Sequence, residues 1–175
     1  MLRIACLLGL LAVTVCQAQE TVWMKHQHWL EDQVSTCRNG VIGVCQAFPG
    51  NALNLLFGIQ DFCPAEKCLS AKDIAVAITK DPKWRSLGKA DNQAELTRAQ
   101  QMAQGGIPVV AVMASEQNGI IAILMPGKPQ KSPKWNLTVP LSVSTRPDHP
   151  KLSVYANSIN FVFADPAKVR LYSPK

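Results

Sequence analysis

Two nearly continuous apolar runs constrain this chain more than any other feature. Residues 107–114 read IPVVAVMA and residues 120–125 read IIAILM. A strand with one wet face alternates apolar and polar side chains, whereas a run without alternation fits a strand covered on both faces. Asn118-Gly119 between the runs is a hairpin-type turn signal. A third candidate strand covers 135–144, interrupted by Pro140. A fourth is half-buried, with Ile159, Phe161 and Phe163 alternating with Asn160 and Val162, and residues 169–172 close the sheet.

Ahead of these strands the pattern is helical. Residues 20–34 carry Trp23, Leu30 and Val34 at helical spacing. Ser35 and Thr36 are good N-cap residues for a second helix from Cys37 to about Phe48, which Pro49-Gly50 should break. Asn51 can then cap a short helix through Phe57. Ser70 caps a helix over 71–80 that stops before Asp81-Pro82. Residues 91–104, ended by Gly105-Gly106, form the clearest helix. Helices first and an antiparallel sheet after them define an α+β domain. With 175 residues, 47% hydrophobic and 17% charged, the chain can bury a core as one domain; the same balance excludes a disordered tail, a collagen-like repeat and a polytopic membrane protein.

The first residues read as a targeting segment. Arg3 precedes an apolar run over 5–15, too short for the roughly 20 residues that span a bilayer. Cys16-Gln17-Ala18 is a small-x-small cleavage site, so residues 1–18 are expected to be a signal peptide, cut after Ala18, and 19–175 the mature single domain, secreted or periplasmic. Cleavage removes Cys6 and Cys16. Cys37, Cys45, Cys63 and Cys68 remain as disulfide candidates in an oxidising compartment. Lys and Arg number 18 against 12 Asp and Glu, a net charge of +6, but the basic residues are scattered and nothing points to nucleic acid.

Several short motifs, in order, resemble the papain-like NlpC/P60 and CHAP superfamily, especially its peptidoglycan amidases. Residues 37–44 (CRNGVIGV) resemble the family's cysteine-bearing helix start, and Gly50-Asn51-Ala52 a turn that often follows it. Residues 99–106 and 109–112 resemble the helix leading into the first central strand, and 118–127 (NGIIAILMPG) the next strand; Trp135 and Val139-Pro140 match further on. The resemblance implies an N-terminal helical layer on a C-terminal antiparallel sheet, with Cys37 in the nucleophile's position. The family strand begins Gly-His, with that histidine as general base, whereas here the pair is Gly119-Ile120. Isoleucine cannot take a proton, so the required Cys–His pair is missing at its expected place. Asn136 lies where the histidine-orienting residue would be sought, without a firm match.

Two readings of Cys37 follow. At a helix N-terminus the macrodipole would favour its thiolate; as half of a disulfide it could not be a nucleophile. Cys37 and Cys45, eight residues apart on one expected helix, would stand about 12 Å apart along its axis, so they should not pair with each other. Cys37 would then bond Cys63 or Cys68, or those two would close their own loop. His149 is the first candidate for a relocated base, in a turn-like loop between strands. His26 and His28 point to different helix faces and make a poor metal pair, and no metal or cofactor is expected. Trp23, Trp29, Trp84 and Trp135 fill core or rim more readily than they line a groove. The expectation is an exported amidase-like domain without catalysis, binding cell-wall peptide or a protein partner. The alternative is an active cysteine amidase or endopeptidase on peptidoglycan, with Cys37 as nucleophile.

Overall fold

The computed structural model describes residues 22–114 and 119–175. The expected signal peptide and the Asn118 side of the Asn118-Gly119 turn lie outside the described residues. A six-stranded antiparallel sheet has helices on both faces. In chain order the elements are α1 (Gln27–Arg38), α2 (Ile42–Phe57), α3 (Ala71–Lys80), β1 (Trp84–Lys89), α4 (Gln93–Gln104), β2 (Val110–Ala114), β3 (Gly119–Leu124), β4 (Gln130–Ser132), β5 (Leu137–Val139), β6 (Leu141–Ser144), β7 (Val154–Ser158) and β8 (Arg170–Pro174). The sheet runs β1-β8-β2-β3-β6-β7, and β4-β5 form a separate ribbon.

Alternation along the two apolar strands splits the core in two. Val110, Val112, Ile121 and Ile123 face α1, α2 and α3, packing with Leu30, Phe48, Leu53 and Ile74. Ala111, Ile120, Ala122 and Leu124 face the other way, toward Leu96 and Ala99 of α4 and Val139 of the ribbon. Apolar side chains at every position of β3 after Gly119 therefore reflect cover on both faces rather than excess hydrophobicity. The fold is α+β, but α4 lies across the sheet from the other helices.

Several local expectations are corrected. Ser35 and Thr36 do not start a helix. Leu30, Val34 and Cys37 are buried at helical spacing, so α1 runs on to Arg38 and stops at Asn39-Gly40, with Gly40 at φ 91°. Pro49-Gly50 does not break α2, and Gly50-Asn51-Ala52 lies inside that helix instead of forming a turn. A proline there removes the donor that would bond the Cys45 carbonyl, and the Thr145 hydroxyl replaces it at 2.7 Å. Pro140 divides 135–144 between two sheets, with β5 in the ribbon and β6 in the main sheet. Residues 159–161 form a 3-10 turn in place of a strand: Ile159, Val162 and Phe163 are buried at a spacing of three and four, and Phe161 is 58% exposed. β8 does not close the sheet but inserts between β1 and β2.

Candidate functional site

Because α1 ends at Arg38 and α2 starts at Ile42, the chain doubles back through Asn39-Gly40-Val41, and Cys37 and Cys45 come to face each other across a helical hairpin. They form a disulfide with Cα atoms 5.0 Å apart. The expectation that they could not pair assumed one continuous helix, and the break at Asn39-Gly40 overturns it. Nor does Cys37 begin a helix. It lies in the last turn of α1, at the carbonyl end of the dipole, which disfavours a thiolate. Both cysteines are fully buried.

The loop between β6 and β7 fastens onto this disulfide. Cys37 Sγ lies 3.1 Å from the Ser153 hydroxyl, which acts as donor because a disulfide sulfur carries no proton. The same hydroxyl accepts the Arg146 backbone N–H at 2.9 Å, and Arg38 Nε donates to the Ser153 carbonyl at 2.7 Å. Arg146, almost wholly buried, donates to both carboxylate oxygens of Asp148 at 2.8 and 2.6 Å and to the Val162 carbonyl at 2.7 Å. These hydrogen bonds hold the Asp148 carboxyl below its usual pKa, against the opposing effect of burial. Such a network is built to hold a loop in place.

The other residues singled out from the sequence do not converge on Cys37. Ile120 directs its side chain into the α4-side core, the cluster that also holds Leu96, Ala99 and Leu124, across the sheet from the helical hairpin. Its neighbour Gly119 packs directly on α3: a Cβ there would come 2.5 Å from the Lys72 Cα and 2.8 Å from the Ala71 carbonyl oxygen. His149 is exposed at the start of the 3-10 turn Pro150–Leu152. Asn136 is exposed at φ 54° in the ribbon turn. His26 and His28 sit at the start of α1, and among the described residues no group of three or more His, Cys, Asp or Glu could hold a metal ion. Trp23, Trp84 and Trp135 are buried, and Trp29 stacks on Phe48.

Sequence reasoning missed a groove of about 1020 Å³ between α2 and the start of α3. Gly43, Ala47 and Asn51, spaced four apart, line the groove from α2 together with Gln46, and a Cβ on Gly43 would meet nothing. The loop after Cys63 forms the far wall. It is closed by the Cys63–Cys68 disulfide and by the Leu69 N–H donating to the Phe62 carbonyl at 2.8 Å. Cys68 itself faces the groove. Gly50 lets this wall approach, since a Cβ there would lie 3.0 Å from Cys63 Sγ and 3.2 Å from the Cys68 Cβ. The Asn51 carboxamide lies 2.9 Å from Cys68 Sγ. Lys67 and Asp73 put opposite charges on the rim, and a smaller hollow sharing Gln46 and Ser70 continues to Gly119 and Asp148. The small-residue periodicity Gly43-Ala47-Asn51 is a signal that could have exposed the groove, had α2 been read as one helix.

No protein-family model and no curated protein matches this chain. Two disulfides fit an oxidising, extracytoplasmic compartment. Among the described residues no helix is long and apolar enough to cross a membrane.

Proposed function

We propose that this chain is an exported amidase-like pseudoenzyme, secreted or periplasmic, that works by binding cell-wall peptide in the groove between α2 and α3. One observation carries the reading: the sulfur in the nucleophile's position is bonded to Cys45, buried, and faced by the Ser153 hydroxyl. A thiolate is the reactive form of cysteine, and a disulfide supplies none. The groove supports the binding half of the reading. Its volume suits a few residues of peptide, and its rim offers Lys67 to a carboxylate and Asp73 to an amine. The NlpC/P60-like order of motifs supplies the substrate class.

The test pairs turnover with binding. Purified peptidoglycan incubated with the protein should release no new amine termini, while a soluble stem-peptide fragment should bind and lose affinity on Ala47→Trp, which fills the floor. Turnover that disappears in Cys37→Ala would refute the proposal. Retention of a protein from an envelope extract, with no affinity for the fragment, would reassign the groove to a protein partner.

A further inference from the structure

The two disulfides occupy different physical environments. Cys37 and Cys45 are fully buried beneath the β6–β7 loop. Cys63 and Cys68 are half-buried, and Cys68 forms part of the groove wall. Exchange requires a thiolate to reach a sulfur along the S–S axis, so access decides which disulfide reacts. The wall depends on this bond. The loop's described backbone hydrogen bonds are few: Cys63 N–H to the Gln60 carbonyl at 2.9 Å, Lys67 N–H to the Pro64 carbonyl at 3.1 Å and Leu69 N–H to the Phe62 carbonyl. Ala65 sits at φ 49°, a left-handed conformation that an unrestrained alanine leaves readily. Asn51 Oδ1 lies 2.9 Å from Cys68 Sγ, and Gly50 leaves no room for a Cβ beside Cys63 Sγ, so the disulfide both closes the loop and seats it on α2.

We infer that Cys63–Cys68 is a site of thiol–disulfide exchange with a dithiol, and that its oxidation state sets whether the groove can hold its ligand. The inference rests on the peptide-binding reading of the groove. In the reaction, one thiolate of the dithiol attacks Cys68 Sγ from the groove, the S–S bond breaks, and Cys63 leaves as a thiolate and takes up a proton. The second thiolate of the reductant then attacks its own sulfur in the mixed disulfide and releases Cys68, which is protonated in turn. Two electrons and two protons pass to the protein, and the reductant leaves as a disulfide. Asn51 Oδ1 lies 2.9 Å from Cys68 Sγ, so the carboxamide must turn over before its N–H can donate to the sulfur as it becomes anionic. With the bond open, the wall lifts from Gly50 and the groove loses one side.

The test uses the full chain. It is equilibrated in dithiothreitol buffers of increasing strength, alkylated, and mapped by mass spectrometry, with hydrogen exchange followed over residues 64–70. Cys63 and Cys68 should be alkylated in buffers that leave Cys37 and Cys45 oxidised, and exchange across 64–70 should rise in the same buffers. The stem-peptide fragment should bind about tenfold more weakly to this form and to the Cys63→Ser/Cys68→Ser variant. Opening of both disulfides together, or unchanged exchange across 64–70 after selective reduction, overturns the inference. If the oxidised protein fails to bind the fragment, the peptide-binding reading falls, while alkylation and exchange still decide whether the wall is redox-addressable.

Discussion

The Thr145 hydroxyl donates to the Cys45 carbonyl at 2.7 Å, the acceptor that Pro49 leaves without a helical donor. A proline inside a helix normally costs about 3 kcal/mol, partly through that lost bond. Here Thr145, the residue that follows β6, repairs the defect, and both groups are buried. Thr145→Val keeps the shape and removes the donor, so it should lower the unfolding free energy by about 1–3 kcal/mol. Thr145→Ser should lose less. Urea unfolding of the three proteins at neutral pH measures the difference, and a valine variant as stable as the parent would show that the carbonyl finds another donor.

Gly119 starts β3 where the strand end meets the first turn of α3. A methyl group there would stand 2.5 Å from the Lys72 Cα and 2.9 Å from the Ala75 Cβ. These obstacles are backbone and a short side chain, so they cannot rotate away. Gly119→Ala should therefore destabilise by about 2–4 kcal/mol, at or above the usual range for overpacking. Gly43→Ala, with open space around its Cβ, should leave stability within about 1 kcal/mol of the parent or raise it through helix propensity. Thermal melts of the pair separate close packing from any general intolerance of glycine replacement.

The centre of the sheet was legible because β2 and β3 are apolar at nearly every position, a pattern with few alternative explanations, whereas β7 at its edge was not read. The helices 71–80 and 91–104 were legible from Ser70, from Gly105-Gly106 and from their apolar spacing, although the second begins at Gln93, with Asn92 as its cap. β1 was not: Trp84-Arg85-Ser86-Leu87-Gly88-Lys89 is an edge strand with two charged side chains and a bulge, so its alternation is weak. The helical hairpin was misread because Pro49-Gly50 carries a strong breaking signal and Asn39-Gly40 a weaker one. Tertiary contacts reversed their order: Thr145 rescues the first, while the disulfide ties together the arms that the second separates. That single exchange moved Cys37 from the start of a helix to its end and joined it to the one cysteine judged out of reach.

Ile120→His places an imidazole at the position where the proposed amidase-like reading would look for a base. The side chain at this position points into the core with Leu96, Ala99 and Leu124, away from Cys37. The substitution should therefore restore no hydrolysis, even after reduction of both disulfides. It should also bury an unpaired polar ring, at a cost of about 2–4 kcal/mol. Burial lowers a histidine's pKa, so the variant's deficit should grow as pH falls below about 6.5, where the unfolded chain binds a proton that the folded one refuses. Urea unfolding at pH 8 and pH 5.5, with a peptidoglycan assay alongside, checks both parts. Hydrolysis by the reduced variant would mean that position 120 reaches the sulfur after all.

The Arg146–Asp148 pair predicts how the loop over the buried disulfide responds to acid. Hydrogen bonds from the guanidinium favour the Asp148 carboxylate and lower its pKa in the folded state. A carboxyl with a depressed folded pKa contributes stability above its unfolded value, near about 3.9, and loses it as pH falls through the folded value. Unfolding free energy should hence decline from about pH 5 downward. Other carboxyls titrate in the same window, so the comparison that isolates this one is with Asp148→Asn. That variant should be less stable than the parent at pH 7, because Arg146 remains buried beside a neutral amide, and the gap should narrow toward pH 3 as the parent's own carboxylate takes its proton. Hydrogen exchange over residues 145–153 should follow the same course, since Arg146 joins this loop to the Val162 carbonyl and, through Ser153, to Cys37. Parallel stability curves for the two proteins from pH 7 to pH 3 would show that the guanidinium holds the loop without help from the carboxylate's charge.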